Sequence, residues 1–141
     1  MKQTPKGWPR LSSALFYEDA AAAIAWICRA FDFQIRLKVE GEDGSITHSE
    51  LEYGEALVMV AGASPEKRGA SPRSLQGANT QSLFLYVDDI DAHCERARSA
   101  GAKILVEPKV SDYGEDYWSD RSYQAEDPEG HLWWFAQRLR G

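Results

Sequence analysis

Cysteine is scarce in this sequence of 141 residues: there are two, Cys28 and Cys94. They share no CxxC spacing and have no neighbouring His/Cys cluster, which argues against a zinc site built on them. Both fall in stretches that read as helix, where a free buried thiol behaves as a small hydrophobe. Long hydrophobic runs are missing. No apolar stretch approaches the ~20 residues of a membrane-spanning helix, and residues 1–10 lack the apolar core of a secretory signal. Positive charge is in deficit, with 16 Lys plus Arg against 22 Asp plus Glu and a net charge of −6. That balance argues against broad contact with nucleic acid or an anionic membrane, although local basic patches stay open. No Ser-His-Asp order, phosphate-binding glycine loop or activated-cysteine signature stands out. These absences leave a soluble cytoplasmic protein as the expectation.

What is present is globular. Hydrophobic residues make up 43% and charged residues 27%, which excludes a wholly disordered chain. A chain this long buries roughly two-thirds of its unfolded surface, enough to fold as one domain, or two small units sharing a core, without metal or disulfides. The excess lies in aromatics: 5 Trp, 6 Tyr and 5 Phe.

The chain is written twice. Residues 12–17 (SSALFY) form an apolar run followed by Glu18-Asp19 and a helical pattern; residues 82–87 (SLFLYV) are followed by Asp88-Asp89 and another. Aligned on these acids, Ser12 matches Ser82 and Leu15 matches Leu85, although past the strand only the order of elements repeats. Ala20, Ile24, Ile27, Cys28 and Phe31 keep one face of a helix that Asp19 caps. Ile90, Cys94 and Ala97 do the same behind Asp88 or Asp89, and Gly101 ends that helix. Strand-like segments follow each helix, at 34–39, 46–53 and 56–61 and at 103–106, 121–126 and 131–137. The chain thus divides into a βαβββ module at 11–61, a linker at 62–80 and a second βαβββ module at 81–139 within one domain. The linker is rich in Gly, Ser, Ala and Pro and suits a surface segment. A second irregular stretch, 111–120, holds Tyr113, Tyr117 and Trp118 among acids, as a lid, an interface or a segment packed on the domain.

Paired βαβββ units with a capping Asp after each first strand resemble the vicinal oxygen chelate superfamily, which includes glyoxalase I, extradiol dioxygenases and the fosfomycin- and bleomycin-resistance proteins. Phe31-Asp32-Phe33 stands where the family often has Leu-Gly-Phe, and the Asp-Pro-x-Gly turn before the last strand is intact as Asp127-Pro128-Glu129-Gly130. The resemblance implies an α+β fold in which two modules form a curled mixed sheet around a cavity. Metal-dependent members carry His, Gln or Glu ligands at positions that here are Ser12, Met59, Ser82 and Trp134. Hydroxyl, thioether and indole do not make a ligand set for the usual divalent ion. The expectation is therefore no metal and no cofactor, and glyoxalase-like lyase or dioxygenase chemistry is disfavoured.

Period-two alternation assigns the remaining cavity positions. Phe16, Met59, Phe84, Tyr86 and Trp134 point inward together, a lining suited to a flat, partly apolar ligand, unless these side chains simply fill the space. His48 shares a strand face with Glu50 and Glu52, either as a proton-relay or metal cluster or as an exposed polar stripe. His93 reads as a surface or boundary residue, and His131 as a support of the turn.

Three functions follow. In the first, a metal-independent homodimer resembling the bleomycin-resistance branch sequesters a cationic or aromatic compound, with Tyr86, Trp134 and Trp118 stacking on it. In the second, a lyase- or isomerase-type enzyme of the same fold uses His48 and Glu50 as acid-base groups or atypical metal ligands. In the third, the loop at 111–120 serves a protein partner. Whether the modules pair within one chain or are exchanged between two is open at this level.

Overall fold

Each half of the chain folds as βαβββ. The first half runs β1 (Ser13–Tyr17), α1 (Ala20–Phe31), β2 (Gln34–Glu40), β3 (Ile46–Tyr53) and β4 (Ala56–Gly62). The second runs β5 (Leu83–Tyr86), α2 (Ile90–Ser99), β6 (Lys103–Asp112), β7 (Ser119–Glu126) and β8 (Leu132–Arg140). The structure, a computed structural model, describes residues 1–141. No helix is long and apolar enough to cross a membrane.

The helix starts are set by the two predicted acids. Asp19 accepts the N–H of Ala22 and Asp89 that of Ala92, each at 3.1 Å, filling donors that the first turn leaves free. α1 stops at Asp32, whose left-handed φ of 65° explains how this residue replaces glycine there.

The strands form two separate four-stranded sheets, β1-β4-β3-β2 and β5-β8-β7-β6. In each, the first strand runs parallel to the fourth and the other pairs are antiparallel. Leu15, Tyr17, Leu51, Val58 and Val60 of the first sheet and Tyr123, Ala125, Trp133 and Phe135 of the second enter one common core with both helices. Burying each such side chain contributes about 1.5–3 kcal/mol.

The helices also pack on each other. Phe31 at the end of α1 meets Trp133 and Phe135 across the modules, at ring separations of 5.0 and 4.7 Å. Trp26 Nε1 donates to the carbonyl of Ala100 at 2.8 Å and Arg96 Nε to that of Arg29 at 2.9 Å. The two sheets therefore stand back to back about the helices, with their other faces outward. They are curled but not closed, the α+β architecture expected from the sequence, and the predicted lining residues divide between their two outward faces.

The Asp-Pro-Glu-Gly turn ties the modules together. Asp127 accepts the Tyr17 hydroxyl at 2.5 Å, the Trp133 indole at 3.1 Å and two backbone N–H groups of its own turn. Glu129 accepts the N–H groups of Glu18 and Asp19 and the Ser71 hydroxyl. His131 lies beside Tyr17, its Nε2 donating to the Phe16 carbonyl at 2.8 Å, in the supporting role expected of it.

Four local readings need correction. β6 runs on past Pro108 to Asp112, because it is an edge strand and Pro withdraws no ladder donor there. β7 begins at Ser119, so the aromatic loop shrinks to 113–118. His93 is buried, not at the surface: its Nε2 donates to the Phe31 carbonyl at 3.0 Å, and its Nδ1 accepts from the Tyr123 hydroxyl at 2.6 Å. The segment 62–80 is not merely a tether, since it carries a 3₁₀ turn (Pro72–Leu75) and buries Ser71 completely.

Candidate functional site

The outward faces carry the predicted site residues, divided between them. On the first sheet, Glu50 pairs in register with Met59, and Met59 with Ala14, so the three share one face. Alternation adds His48 and Glu52 on β3 and Phe16 on β1. His48 therefore lies on the outward face, opposite the core residue Leu51. The Glu50 carboxylate is nearly buried and doubly engaged, by His48 Nε2 at 2.7 Å and by Arg36 Nε at 3.1 Å. Arg36 in turn lies over the Trp8 ring and donates to the Gly7 carbonyl, drawing the N-terminal segment onto this end of the sheet. Phe16 is half-buried and lines a hollow with Ala14, Arg68, Gly69 and Pro72. Gly69 packs so close that a Cβ there would sit 2.5 Å from the Phe16 ring.

The second sheet brings four of the predicted residues together. Phe84 pairs in register with Trp134 and Tyr86 with Ala136, so Phe84, Tyr86 and Trp134 line one face. The Phe84 and Tyr86 rings meet edge to face at 5.3 Å. Phe84 is 57% exposed, Tyr86 46% and Trp118 40%, an unusual amount of open aromatic surface for adjacent residues. Trp118 is held at the end of the 113–118 loop, its carbonyl accepting the Tyr113 N–H at 2.9 Å. Arg140 fastens that loop from below by binding both oxygens of Asp112, whose pKa is lowered to about 2 by that hydrogen bond.

Two residues of this face escaped the sequence reading. Arg138 lies opposite Asp120 in the β7–β8 register, and its Nε donates to the Asp120 carboxylate at 2.6 Å. The Tyr86 hydroxyl donates to the other oxygen of Asp120 at 3.2 Å and accepts from Arg138 Nη2. The alternation that selects Trp134 and Ala136 continues to Arg138, one residue past the 131–137 segment that the sequence pattern marks as strand, and Asp120 falls at the edge of the irregular stretch 111–120.

The five residues expected to line one cavity thus divide between two faces, Phe16 and Met59 on the first sheet and Phe84, Tyr86 and Trp134 on the second, with the loop residue Trp118 beside the latter. None of the five main hollows of the chain is lined by Met59, Tyr86, Trp118 or Trp134. The positions at which metal-dependent relatives place ligands, Ser12, Met59, Ser82 and Trp134, offer no chemically competent donor set. Elsewhere no three His, Cys, Asp or Glu side chains converge in a way that could hold a metal ion. The residues present do not fit the superfamily's divalent ion.

This geometry agrees with relationships seen across the whole chain. The model of the Glyoxalase/Bleomycin resistance protein/Dioxygenase superfamily matches residues 11–135. The chain belongs to that superfamily. An uncharacterized protein of Mycobacterium bovis is 35% identical over 135 residues, covering 94% of this chain and 85% of its own. Among solved structures, TioX from Micromonospora sp. ML1 is 28% identical with a TM-score of 0.71, covering 93% of this chain and 99% of its own. TnmS3, an antibiotic binding protein from Streptomyces sp. CB03234, has the same fold at 18% identity and a TM-score of 0.66, covering 91% of this chain and 93% of its own.

Proposed function

We propose that this chain is a metal-independent cytoplasmic binding protein that sequesters a flat aromatic small molecule in a cleft completed by a second copy. The observation that carries the reading is the exposed aromatic face of Phe84, Tyr86 and Trp118, with the half-buried Trp134 on the same face. In a homodimer the first sheet of one copy would stand over the second sheet of the other, bringing Met59 opposite these rings. Stacking between rings and burial of their surface would then supply the binding energy. The antibiotic binding protein TnmS3 is a precedent for such a role on this fold. Of the cationic and aromatic ligand chemistries suggested by the sequence, the face supports the aromatic one.

Sedimentation equilibrium combined with tryptophan fluorescence tests this. The expected result is a dimer with saturable quenching by flat aromatic compounds, weakened in Trp134→Ala. A folded monomer without a saturable response across a broad panel would overturn it.

A second reading rests on the His48–Glu50 contact at 2.7 Å, which would serve an acid-base enzyme of the same fold. Turnover of a bound compound that disappears in both His48→Ala and Glu50→Gln, with binding retained, would favour it.

A further inference from the structure

Arg138 stands where a bound organic cation would. Its guanidinium carbon lies 5.1 Å from the centre of the Tyr86 ring and 5.2 Å from that of Trp118. The third wall is the Asp120 carboxylate, which takes Nε at 2.6 Å and the Tyr86 hydroxyl at 3.2 Å. Two aromatic faces and a carboxylate are the parts with which proteins recognise quaternary or planar cations. Here β5, β7, β8 and the 113–118 loop assemble those parts around a cation that the chain itself supplies.

The physical case for a filled box is strong. Asp120 is nearly buried, with its side chain 8% exposed, and a lone carboxylate at that depth is costly. Arg138 neutralises it from the adjacent strand, and being tethered it outcompetes any free cation. One guanidinium nitrogen is left under-used: Nη1 has as its partner the Gly141 carbonyl at a long 3.4 Å.

We propose that Arg138 sets the charge selectivity of this face. Its guanidinium fills a built cation box, so the cleft refuses organic cations and takes planar aromatic anions, carboxylates or phenolates, whose oxygens pair with Nη1. The proposal rests on the reading that the aromatic face of the second sheet binds the ligand, and it names the ligand's charge. Arg138 acts as a specificity residue, not as a catalytic one.

The test removes the tethered cation and returns a free one. In Arg138→Ala, guanidinium chloride changes tryptophan fluorescence saturably at concentrations at least about tenfold below any effect on the unsubstituted protein, as one desolvated cation–π site implies. Matched sodium chloride has no such effect. The response vanishes when Asp120→Asn or Trp118→Ala is added. A charge-matched pair of probes reads selectivity: the unsubstituted protein binds 2-naphthoate more tightly than 2-naphthylmethylammonium, and Arg138→Ala reverses that order. Circular dichroism checks folding, with Arg138→Gln as the substitute if the alanine variant is unfolded. The proposal is overturned if guanidinium acts equally on both proteins, or if both show the same probe preference. If guanidinium fills the variant while neither naphthyl compound binds either protein, the sequestration reading falls and takes the anion preference with it. The cation box then stands alone.

Discussion

His93 and Tyr123 are joined by a buried hydrogen bond of 2.6 Å in which the hydroxyl donates to the imidazole. Because a carbonyl can only accept, Nε2 facing Phe31 carries a proton, and in the neutral ring Nδ1 is the acceptor for the Tyr123 hydroxyl. Burial pushes the His93 pKa below the usual 6.5, outweighing the hydrogen bond to Phe31 that favours the charged form. In the unfolded chain the ring titrates at about 6.5. The unfolded state therefore gains a proton first as pH falls. Stability from this group is full above about pH 6.5 and declines as pH drops toward the folded pKa. Urea denaturation of the wild type should show that decline between about pH 7 and 5, and His93→Gln should flatten it.

Glu129 should be among the costliest single carboxylates to remove. Burial alone would raise its pKa, but the Ser71 hydroxyl and the N–H groups of Asp19 and Glu18 outweigh that and lower it. Its contribution is thus present above the unfolded value of about 4.3 and lost as pH falls below it. Glu129→Ala strands three donors and should destabilise by at least about 2 kcal/mol in denaturant titrations, with Glu129→Gln in between.

Gly69 and Phe16 should show strong coupling. A methyl group at Gly69 meets the Phe16 ring at 2.5 Å, so Gly69→Ala should lower stability by about 1–3 kcal/mol through overpacking. In a Phe16→Ala background the same substitution should be nearly neutral. Thermal melts of the four variants provide the cycle.

A chelator should not alter the melting temperature. The inherited ligand positions are Ser12, Met59, Ser82 and Trp134, and the carboxylate of Glu50 is already engaged by Arg36 and His48. Elemental analysis of protein purified without chelator checks this. A stoichiometric divalent ion that is lost in His48→Ala would restore metal chemistry to the site.

Phe84 should matter to assembly more than to folding. Its ring is 57% exposed, so Phe84→Glu should leave the unfolding free energy of the isolated chain within about 0.5 kcal/mol of wild type. If the proposed dimer forms, the same change should shift sedimentation toward monomer, since it sets a charge on the face that the second copy would cover.

Much of the fold was legible because local chemistry determines it. Asp19 and Asp89 announce the helices, the Asp127–Gly130 turn announces the last strand, and alternation sorts Trp133 and Phe135 from Trp134. What each alternating face meets was not legible: a face that borders a hollow and one that is left open require the same alternation, so nothing in β1 or β5 distinguishes them. The site was half visible for a related reason. Aromatics stood out by type, whereas Arg138 and Asp120 gain meaning only through register across β7 and β8. His93 was misread because its partners, Phe31 and Tyr123, lie 62 and 30 residues away.

The turn at Asp127–Gly130 also dictates an order of events during synthesis. Tyr17, Glu18 and Asp19 find their partners 110 or 111 residues later in the chain. While the nascent chain is still emerging from the ribosome, the start of α1 has only Asp19 to cap it, and the Tyr17 hydroxyl has water in place of Asp127. The first module can collapse at that stage, but it locks only when nearly the last strand has been made.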